Sequence, residues 1–379
     1  MGIKQIIKRI VQIGYCGLSQ IFITIEYNKS HKRGELQYLS DEDFYIWKKS
    51  MLKMLRGHVK SGYASRLNEE IPAFSETEIK ILKKTNTFRR NIPIVVLCVK
   101  NDRRRIEMLV DHYKKYGVNQ FAFLDNGSTD GTLEWMMEQA EIDVFQTTRK
   151  YSSFRKEAWI SRLVSYYGFD RWFIVTDSDE LAVYQGMEEH NFDELIKMLE
   201  TKGIKRVKGL TLDMYSEGPI FSDDHEEIPI YNKYCWTDTD SYFDEDKNLG
   251  TVSIKVLSGG PRFRKMNVKT SLSKYPLVYW EKGTISENAH FQYPYEPAAV
   301  APCYFGILHF KFLDEDKKVF KERSNRNSGF ARGGGDYKNY MKVFEENSSA
   351  SFMYEGSIKL DTYNKLAEIP YIISPAFER

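Results

Sequence analysis

A short apolar run that ends in acidic residues is the feature that most constrains this chain. Residues 172–175 (WFIV) suit a buried parallel strand, and residues 176–180 (TDSDE) follow it directly. In an open α/β sheet, ligands bind beyond the carboxyl ends of the strands, so Asp177 and Asp179 are expected to face a crevice. Two carboxylates this close repel each other unless a cation or protons intervene. A hard divalent cation would meet this need, and an acidic, solvated loop is the alternative interpretation.

Strands and helices alternate on both sides of this run. Apolar runs at 94–99, 121–124 and 142–146 predict three more strands, and a helical pattern follows each of them. This order predicts an α/β fold with a doubly wound, mostly parallel sheet. Residues 1–90 are charged and favour helices, so we expect a helical N-terminal extension, a main domain over 91–330 and a C-terminal tail over 331–379.

The composition argues against several functional classes. Lys and Arg number 55 against 53 for Asp and Glu, which argues against a general nucleic-acid binder because such proteins carry a basic surplus. The four cysteines form no C-x-x-C pair, so a zinc ribbon is excluded and reduced thiols in a cytosolic compartment are expected. No apolar run is long and clean enough for a transmembrane helix.

The N-terminus carries isoleucines at helical spacing with basic residues between them: Ile3, Ile6, Ile7, Ile10 and Ile13. This pattern predicts an amphipathic helix. The helix would either dock on its own domain or lie at a membrane interface as a peripheral contact.

Residues 125–132 (DNGSTDGT) form a second informative motif, at the end of the strand predicted over 121–124. An acid at a strand end, followed by Gly, Ser or Thr and a capping Asp, builds a tight turn whose backbone amides face outward at a helix start. Such a turn suits the polar groups of a nucleotide, or simply caps the helix. Its combination with a second acidic strand end is much less common than either motif alone.

Three segments together resemble the nucleotide-sugar half of GT-A glycosyltransferases: 125–132, the helix carrying RKEAWI at 155–160, and TDSDE at 176–180. Within these enzymes the chain is most similar to the family-2-like group with an Asp-x-Asp-Glu signature, related to family 92. The similarity continues through 258–264 (SGGPRFR), 272–277 (LSKYPL), His290 and 308–312 (LHFKF), and covers about 92–330. Leu181 is a departure, since the group more often has Phe there.

The resemblance implies a GT-A type, Rossmann-like fold with a nucleotide-sugar half over 91–181 and an acceptor half over 182–330. It implies a Mn²⁺ or Mg²⁺ ion held by Asp177, Asp179 and His309. The nucleotide-sugar contacts that it implies are Asn101, Asp102, Asp125, Asn126, Arg155, Asp177, Arg262 and Lys274.

Sugar transfer has two electrostatic requirements. Charge builds up on the departing diphosphate, where a divalent metal acts as a Lewis acid and nearby cations assist. Arg262 and Arg264 are two apart behind a glycine pair, so they are expected on one side of a strand, as assisting cations or as a solvated face. His309 lies between apolar residues and could also be a satisfied core histidine.

The second requirement is removal of the acceptor's proton. An inverting enzyme needs an Asp or Glu within hydrogen-bond reach of the acceptor hydroxyl, whereas a retaining enzyme does not. The catalytic candidates are Glu287, Asp213, Glu217 and Lys274, with Asp223 and Asp224 as further acids. The segment 211–248 is rich in acids and aromatics, which fits an acceptor-side loop or an insertion with its own aromatic cluster.

These features predict a metal-dependent glycosyltransferase of the hexosyltransferase type. The expected donor is a nucleoside diphosphate sugar, most readily a UDP-sugar, and the expected acceptor is a saccharide or lipid-linked saccharide in the surface polysaccharide assembly of a bacterial-type cell. One alternative is a nucleotidyltransferase or phosphate-transfer enzyme, which should carry a glycine-rich basic loop after the first strand; residues 100–103 are basic but contain no glycine. The other alternative is a non-catalytic carbohydrate-binding protein.

Overall fold

The structure is a computed structural model, and it describes residue 14 and residues 41–60, 79–84, 88–222, 228–249, 252–324 and 335–377. The amphipathic segment predicted at the N-terminus and the candidate acids Asp223 and Asp224 lie outside the described residues. Among the described residues, no helix has the length and apolarity needed to cross a bilayer.

The strands and helices alternate along most of the chain. The strands are β1 (Lys80–Lys83), β2 (Ile94–Val99), β3 (Phe121–Asp125), β4 (Ile142–Gln146), β5 (Arg171–Val175), β6 (Glu180–Tyr184), β7 (Arg206–Asp213), β8 (Trp236–Asp238), β9 (Tyr242–Leu249), β10 (Val252–Gly259), β11 (Ser273–Trp280), β12 (Ile285–Asn288), β13 (Phe291–Tyr293), β14 (Cys303–His309) and β15 (Ser357–Lys359). The helices are α1 (Asp41–Lys60), α2 (Arg103–Lys115), α3 (Thr132–Glu138), α4 (Ser153–Tyr167), α5 (Phe192–Thr201), α6 (Ile230–Lys233), α7 (Gly260–Met266), α8 (Glu296–Ala299), α9 (Asp316–Ser324) and α10 (Gly335–Glu346), and a 3₁₀ helix spans Tyr363–Glu368.

A nine-stranded sheet with the order β1-β4-β3-β2-β5-β11-β7-β14-β6 forms the centre. Strands β2, β3, β4 and β5 pair in parallel, and so do β7 and β14. Strand β11 is antiparallel to both β5 and β7, so β7 and β14 run in the direction of β5, while β1, β6 and β11 run the opposite way. The predicted α/β fold with a mostly parallel sheet is therefore confirmed.

The first half of the fold follows the local sequence pattern closely. The four strands predicted at 94–99, 121–124, 142–146 and 172–175 are β2 to β5, and the helices predicted between them are α2 to α4. Strand β2 is apolar throughout and buried at five of its six positions, as a strand covered on both faces must be.

The chain order of the parallel strands creates a crevice. From β2 the chain moves to β3 and β4 on one side, and then returns to β5 on the other side of β2. Such a reversal is a topological switch point, where ligands bind beyond the carboxyl ends of the strands. The carboxyl ends of β2, β5, β7 and β14 lie at this edge, and so do the first residues of the antiparallel strands β6 and β11.

The chain segments that flank the main domain also pack against it. Helix α1 places Trp47, Met51 and Leu55 in the same apolar cluster as Ile94 and Trp159. Strand β1 joins the sheet beside β4, which the sequence analysis did not foresee because KILK is short and half basic. At the other end, residues 366, 369 and 372 join the apolar cluster that contains β7 and β14. The domain boundaries at residues 90 and 330 stay a prediction.

The expectation for Arg262 and Arg264 was wrong, because both lie in helix α7 rather than on a strand. Gly259 and Gly260 have φ angles of 105° and 77°, which end β10, and Pro261 then stands in the first turn of the helix. On a helix, residues two apart point to different sides, so the two guanidinium groups bind different carboxylates.

Gly259→Ala should destabilise the fold, because a Cβ at this position would lie 2.2 Å from the backbone oxygen of Ser241 and would have to adopt a positive φ. We expect the free energy of unfolding to fall by about 1–3 kcal/mol in urea titrations. Gly218→Ala is the control, since nothing lies within 4 Å of its added Cβ. Equal stability of the two variants would contradict the prediction.

Candidate active site

Asp179, Glu180 and His309 come together at the carboxyl edge of the sheet. One ligand atom from each of them lies within 4.8 Å of the others, and His309 Nε2 is 3.2 Å from Asp179 Oδ2. Strand pairing holds them there, because β6 and β14 place His309 opposite Glu180, and the Phe310 N–H donates to the Asp179 carbonyl at 2.8 Å. Carboxylate oxygens together with one imidazole nitrogen fit Mn²⁺ well, and the oxygens also suit Mg²⁺.

His309 is oriented from behind by a buried carboxylate. Its Nδ1 lies 2.7 Å from Asp213 Oδ1, and Asp213 Oδ2 accepts a hydrogen bond from Arg262 Nε at 2.7 Å. A ligating histidine commonly uses its other ring nitrogen in this way, which aims Nε2 at the metal. Burial raises the pKa of Asp213, but Arg262 and His309 more than offset this and lower it to about 2. A carboxylate held so is a poor general base and a good support for His309.

Asp177 binds two lysines. Its carboxylate accepts hydrogen bonds from Lys156 and, at 2.9 Å, from Lys274. Lys274 also donates to both Glu180 oxygens, at 2.6 and 2.7 Å. Burial raises the pKa of Asp177. The two ammonium groups lower it by more than burial raises it, so the pKa lies below its usual value. The geometry thus groups Glu180 with Asp179 and His309, and the role of Asp177 as a metal ligand stays a prediction.

Asp102 lies beside the acidic loop. It accepts a hydrogen bond from the Ser178 hydroxyl and another from Arg105 Nη1 at 3.0 Å. Arg105 is buried, and it also pairs with Asp316 and donates to the Phe310 carbonyl at 2.9 Å. This network joins the start of α2 to the loop that holds Asp179 and to the chain just after His309.

The turn over 125–132 satisfies its own polar groups. Asp125 is buried and accepts hydrogen bonds from the backbone N–H groups of residues 127 and 128, at 2.9 and 3.0 Å. Asn126 donates to the carbonyls of residues 147 and 149. Asn101 has a φ of 53° and bonds to Ser128 and to the Thr129 N–H, which ties the ends of β2 and β3 together. These bonds stabilise the turn itself, and Asp130 accepts from the Thr132 N–H at the start of α3 at 3.0 Å. A nucleotide contact stays a prediction.

The other predicted residues lie around this centre. Arg155, in the first turn of α4, donates to the Lys150 carbonyl at 2.9 Å. Glu287 is buried in β12 and accepts from the Asn288 side chain at 2.5 Å. His290 Nδ1 lies 3.0 Å from the Ser273 carbonyl oxygen, and burial lowers the pKa of His290 to about 3. Glu217 is exposed near Cys235, and among the described residues no contact joins it to the Asp179 group.

Sequence reasoning missed three residues of this centre: Glu180, Lys156 and Arg105. Lys156 had a usable signal, because it precedes the buried Trp159 and Ile160 by three and four positions and so shares their helix face. A lysine on a buried face needs a carboxylate partner. Glu180 also had a local signal, as the last residue of the Asp-x-Asp-Glu signature. Arg105 had none, since its partners Asp316 and Phe310 lie far along the chain.

Comparisons with known proteins give little beyond this geometry. No protein-family model matches the chain, and no curated protein matches it. Glucosyl-3-phosphoglycerate synthase from Mycobacterium tuberculosis, in complex with Mn²⁺, uridine-diphosphate-glucose and phosphoglyceric acid, has a TM-score of 0.23 and 21% identity over 32% of this chain and 44% of that one. The mannosyltransferase PcManGT from Pyrobaculum calidifontis, in complex with GDP-Man and Mn²⁺, has a TM-score of 0.24 and 14% identity over 45% and 47%.

A third solved structure, HddC from Yersinia pseudotuberculosis, has a TM-score of 0.27 and 12% identity over 67% of this chain and 99% of that chain. The match to the first two structures spans less than half of their length. Because the likeness is this distant, function has to be inferred from the site itself.

The metal-free protein should show a pH-dependent contribution from His309. Burial lowers the pKa of His309, but Asp179 and Asp213 raise it more, so it lies above the usual 6.5. The stabilisation by protonated His309 is therefore fully present below about pH 6.5 and is lost as the pH rises through the raised pKa.

The measurement is urea unfolding with a chelator present, from about pH 6 to about pH 9. We expect the difference in unfolding free energy between wild type and His309→Asn to shrink as the pH rises. The partly exposed His190 provides the control variant, His190→Asn. A difference that stays constant over this range would show that His309 is not protonated between the two carboxylates.

Proposed function

We propose that this protein is a metal-dependent glycosyltransferase of the GT-A type, which transfers a sugar from a nucleoside diphosphate sugar. The observation that carries the proposal is the convergence of Asp179, Glu180 and His309 beside the switch point between β2 and β5. Two acids from one strand end and a histidine from another meet where an α/β sheet binds its ligands.

The carboxylate oxygens of Asp179 and Glu180 and the imidazole of His309 fit a resident Mn²⁺ or Mg²⁺ ion. When bound, the ion supplies Lewis acidity to the departing diphosphate. The protein's own residues prepare the site for it. Asp213 keeps the Nδ1 proton of His309, so the Nε2 lone pair is available at the site. Arg262 holds Asp213, and the strand pairing of β6 with β14 fixes the distance between Glu180 and His309.

A small recess, with room for about one water molecule, lies next to this centre. Its walls include Lys156, Asp177, Glu180, Lys274 and Gln292. The Gln292 side chain is buried, and its Oε1 has no hydrogen-bond partner among the described residues. A buried acceptor without a partner costs free energy unless a ligand or water donates to it. A hydroxyl group of a bound sugar would supply that donor, and we propose that one does so here.

The resemblance of the acidic motifs extends the proposal to a UDP-sugar as donor and to a saccharide or lipid-linked saccharide as acceptor. A role in surface polysaccharide assembly on the cytoplasmic side, with the N-terminal segment as a peripheral membrane contact, belongs to the same proposal. Asp102, Asp125, Arg155 and Lys274 are the nucleotide-side residues that we would replace first.

Asp179→Asn should weaken metal-dependent nucleotide binding. The variant removes one charged ligand while keeping the size of the side chain, so we expect the affinity for UDP in Mn²⁺ to fall by about tenfold or more. Calorimetric titration of UDP with and without Mn²⁺ measures this. Asp111→Asn, at an exposed position of α2, is the matched control. The proposal fails if UDP, GDP and dTDP all fail to bind, or if UDP binding does not need Mn²⁺.

Product analysis separates the enzyme classes. A glycosyltransferase incubated with UDP-sugars and acceptors releases UDP. A nucleotidyltransferase incubated with a nucleoside triphosphate and a sugar phosphate releases pyrophosphate instead. A protein that binds saccharides without releasing either product would support the carbohydrate-binding alternative.

A further inference from the structure

Lys311 follows His309 by two residues and is held by aromatic rings. Its Nζ lies 5.8 Å from the ring centre of Phe320 in α9 and 5.4 Å from that of Tyr337 in α10. An ammonium group over an aromatic face is attracted by the ring electrons but keeps its full charge. Among the described residues, no hydrogen bond or ion pair engages this ammonium group.

The rings of Phe320 and Tyr337 are held in place by packing and by a neighbouring arginine. Phe320 and Tyr337 belong to a buried apolar cluster that also contains Phe312 and Tyr340. Arg323 donates to the Tyr337 hydroxyl at 2.8 Å and lies over the same ring at 5.3 Å. Because packing fixes the rings, the position of the Lys311 side chain is restricted before any ligand arrives.

Lys311 directly follows Phe310, whose N–H donates to the Asp179 carbonyl at 2.8 Å, so its backbone lies beside the metal-binding residues. The other cations around the site each bind a carboxylate: Lys156, Lys274, Arg105 and Arg262. Lys311 therefore differs from them, because its positive charge is near the metal-binding residues and is not neutralised by an ion pair within the described chain.

We propose that Lys311 binds a phosphoryl oxygen of the nucleotide diphosphate at the site of Asp179, Glu180 and His309. This inference rests on the proposed function and deepens it, since it assigns a diphosphate contact to a residue beyond the sheet. An ammonium group that is already positioned forms a charge-assisted hydrogen bond to phosphate at little cost in side-chain entropy.

The assignment predicts opposite effects of the Lys311 charge on the affinity for the metal ion alone and on the affinity for a diphosphate. A positive charge near the site repels a bare metal cation but attracts a diphosphate. Replacing Lys311 by Met keeps the apolar stem and removes the charge. Lys311→Met should therefore bind Mn²⁺ alone as tightly as wild type or more tightly, and bind UDP in saturating Mn²⁺ about tenfold or more weakly. The loss should be smaller for UMP, which has one phosphoryl group fewer.

The experiment compares wild type, Lys311→Met, Lys311→Arg and Lys321→Met. Free Mn²⁺ is measured by electron paramagnetic resonance, and UDP and UMP affinities are measured by calorimetry. Lys321→Met is the matched control, because Lys321 is exposed on α9 next to Phe320. Lys311→Arg keeps a cation over the rings, so most of the UDP affinity should remain.

The outcomes distinguish the two proposals. If wild type binds UDP with Mn²⁺ and Lys311→Met binds it as well as Lys321→Met does, the role of Lys311 is overturned and the proposed function stands. If Lys311→Met loses Mn²⁺ and UDP binding together, a structural role replaces the diphosphate contact. If wild type binds no nucleoside diphosphate, the proposed function fails, and the assignment of Lys311 fails with it.

Discussion

The organisation of this protein depends on pairing buried charges at one edge of the sheet. Acids and cations are gathered there from distant parts of the chain: Asp102, Asp177, Asp179, Glu180 and Asp213 with Arg105, Lys156, Arg262, Lys274 and His309. Burial disfavours a charged group unless it is paired. Removing one partner from such a pair leaves an uncompensated charge and costs about 3–5 kcal/mol. The charged residues therefore hold the loops of the crevice in one arrangement.

The acids of the site differ in how exposed they are and in how completely they are paired, and this difference indicates where a ligand would bind. Asp213 is 1% exposed and has two partners, Arg262 and His309. The side chains of Asp177 and Asp179 are 28% and 24% exposed. Asp177 is neutralised by two lysines, whereas Asp179 faces His309, which itself is shared with Asp213. The acid with the least complete pairing at the open edge is the one at which a divalent cation has the most to contribute.

Elements outside the sheet complete the site. Helix α7 carries Arg262 to Asp213, and its start depends on the close approach of Gly259 to the Ser241 backbone. Helices α9 and α10 bring aromatic rings to Lys311. These contacts come from segments far beyond the first parallel strands, so both halves of the chain build the crevice.

The amino-acid sequence by itself determined the alternation of strands and helices in the first half of the chain and the acidic end of β5. These features depend on apolar runs and on the spacing of residues along one segment, which are local properties. Tertiary structure alone decided which acid accompanies Asp179 and His309, because that depends on the register of β6 with β14. It also decided that Arg262 and Arg264 separate, since two glycines turn the chain into a helix. The partners of Lys156, Arg105 and Lys311 lie on other elements, and only the packing of those elements brings them within reach.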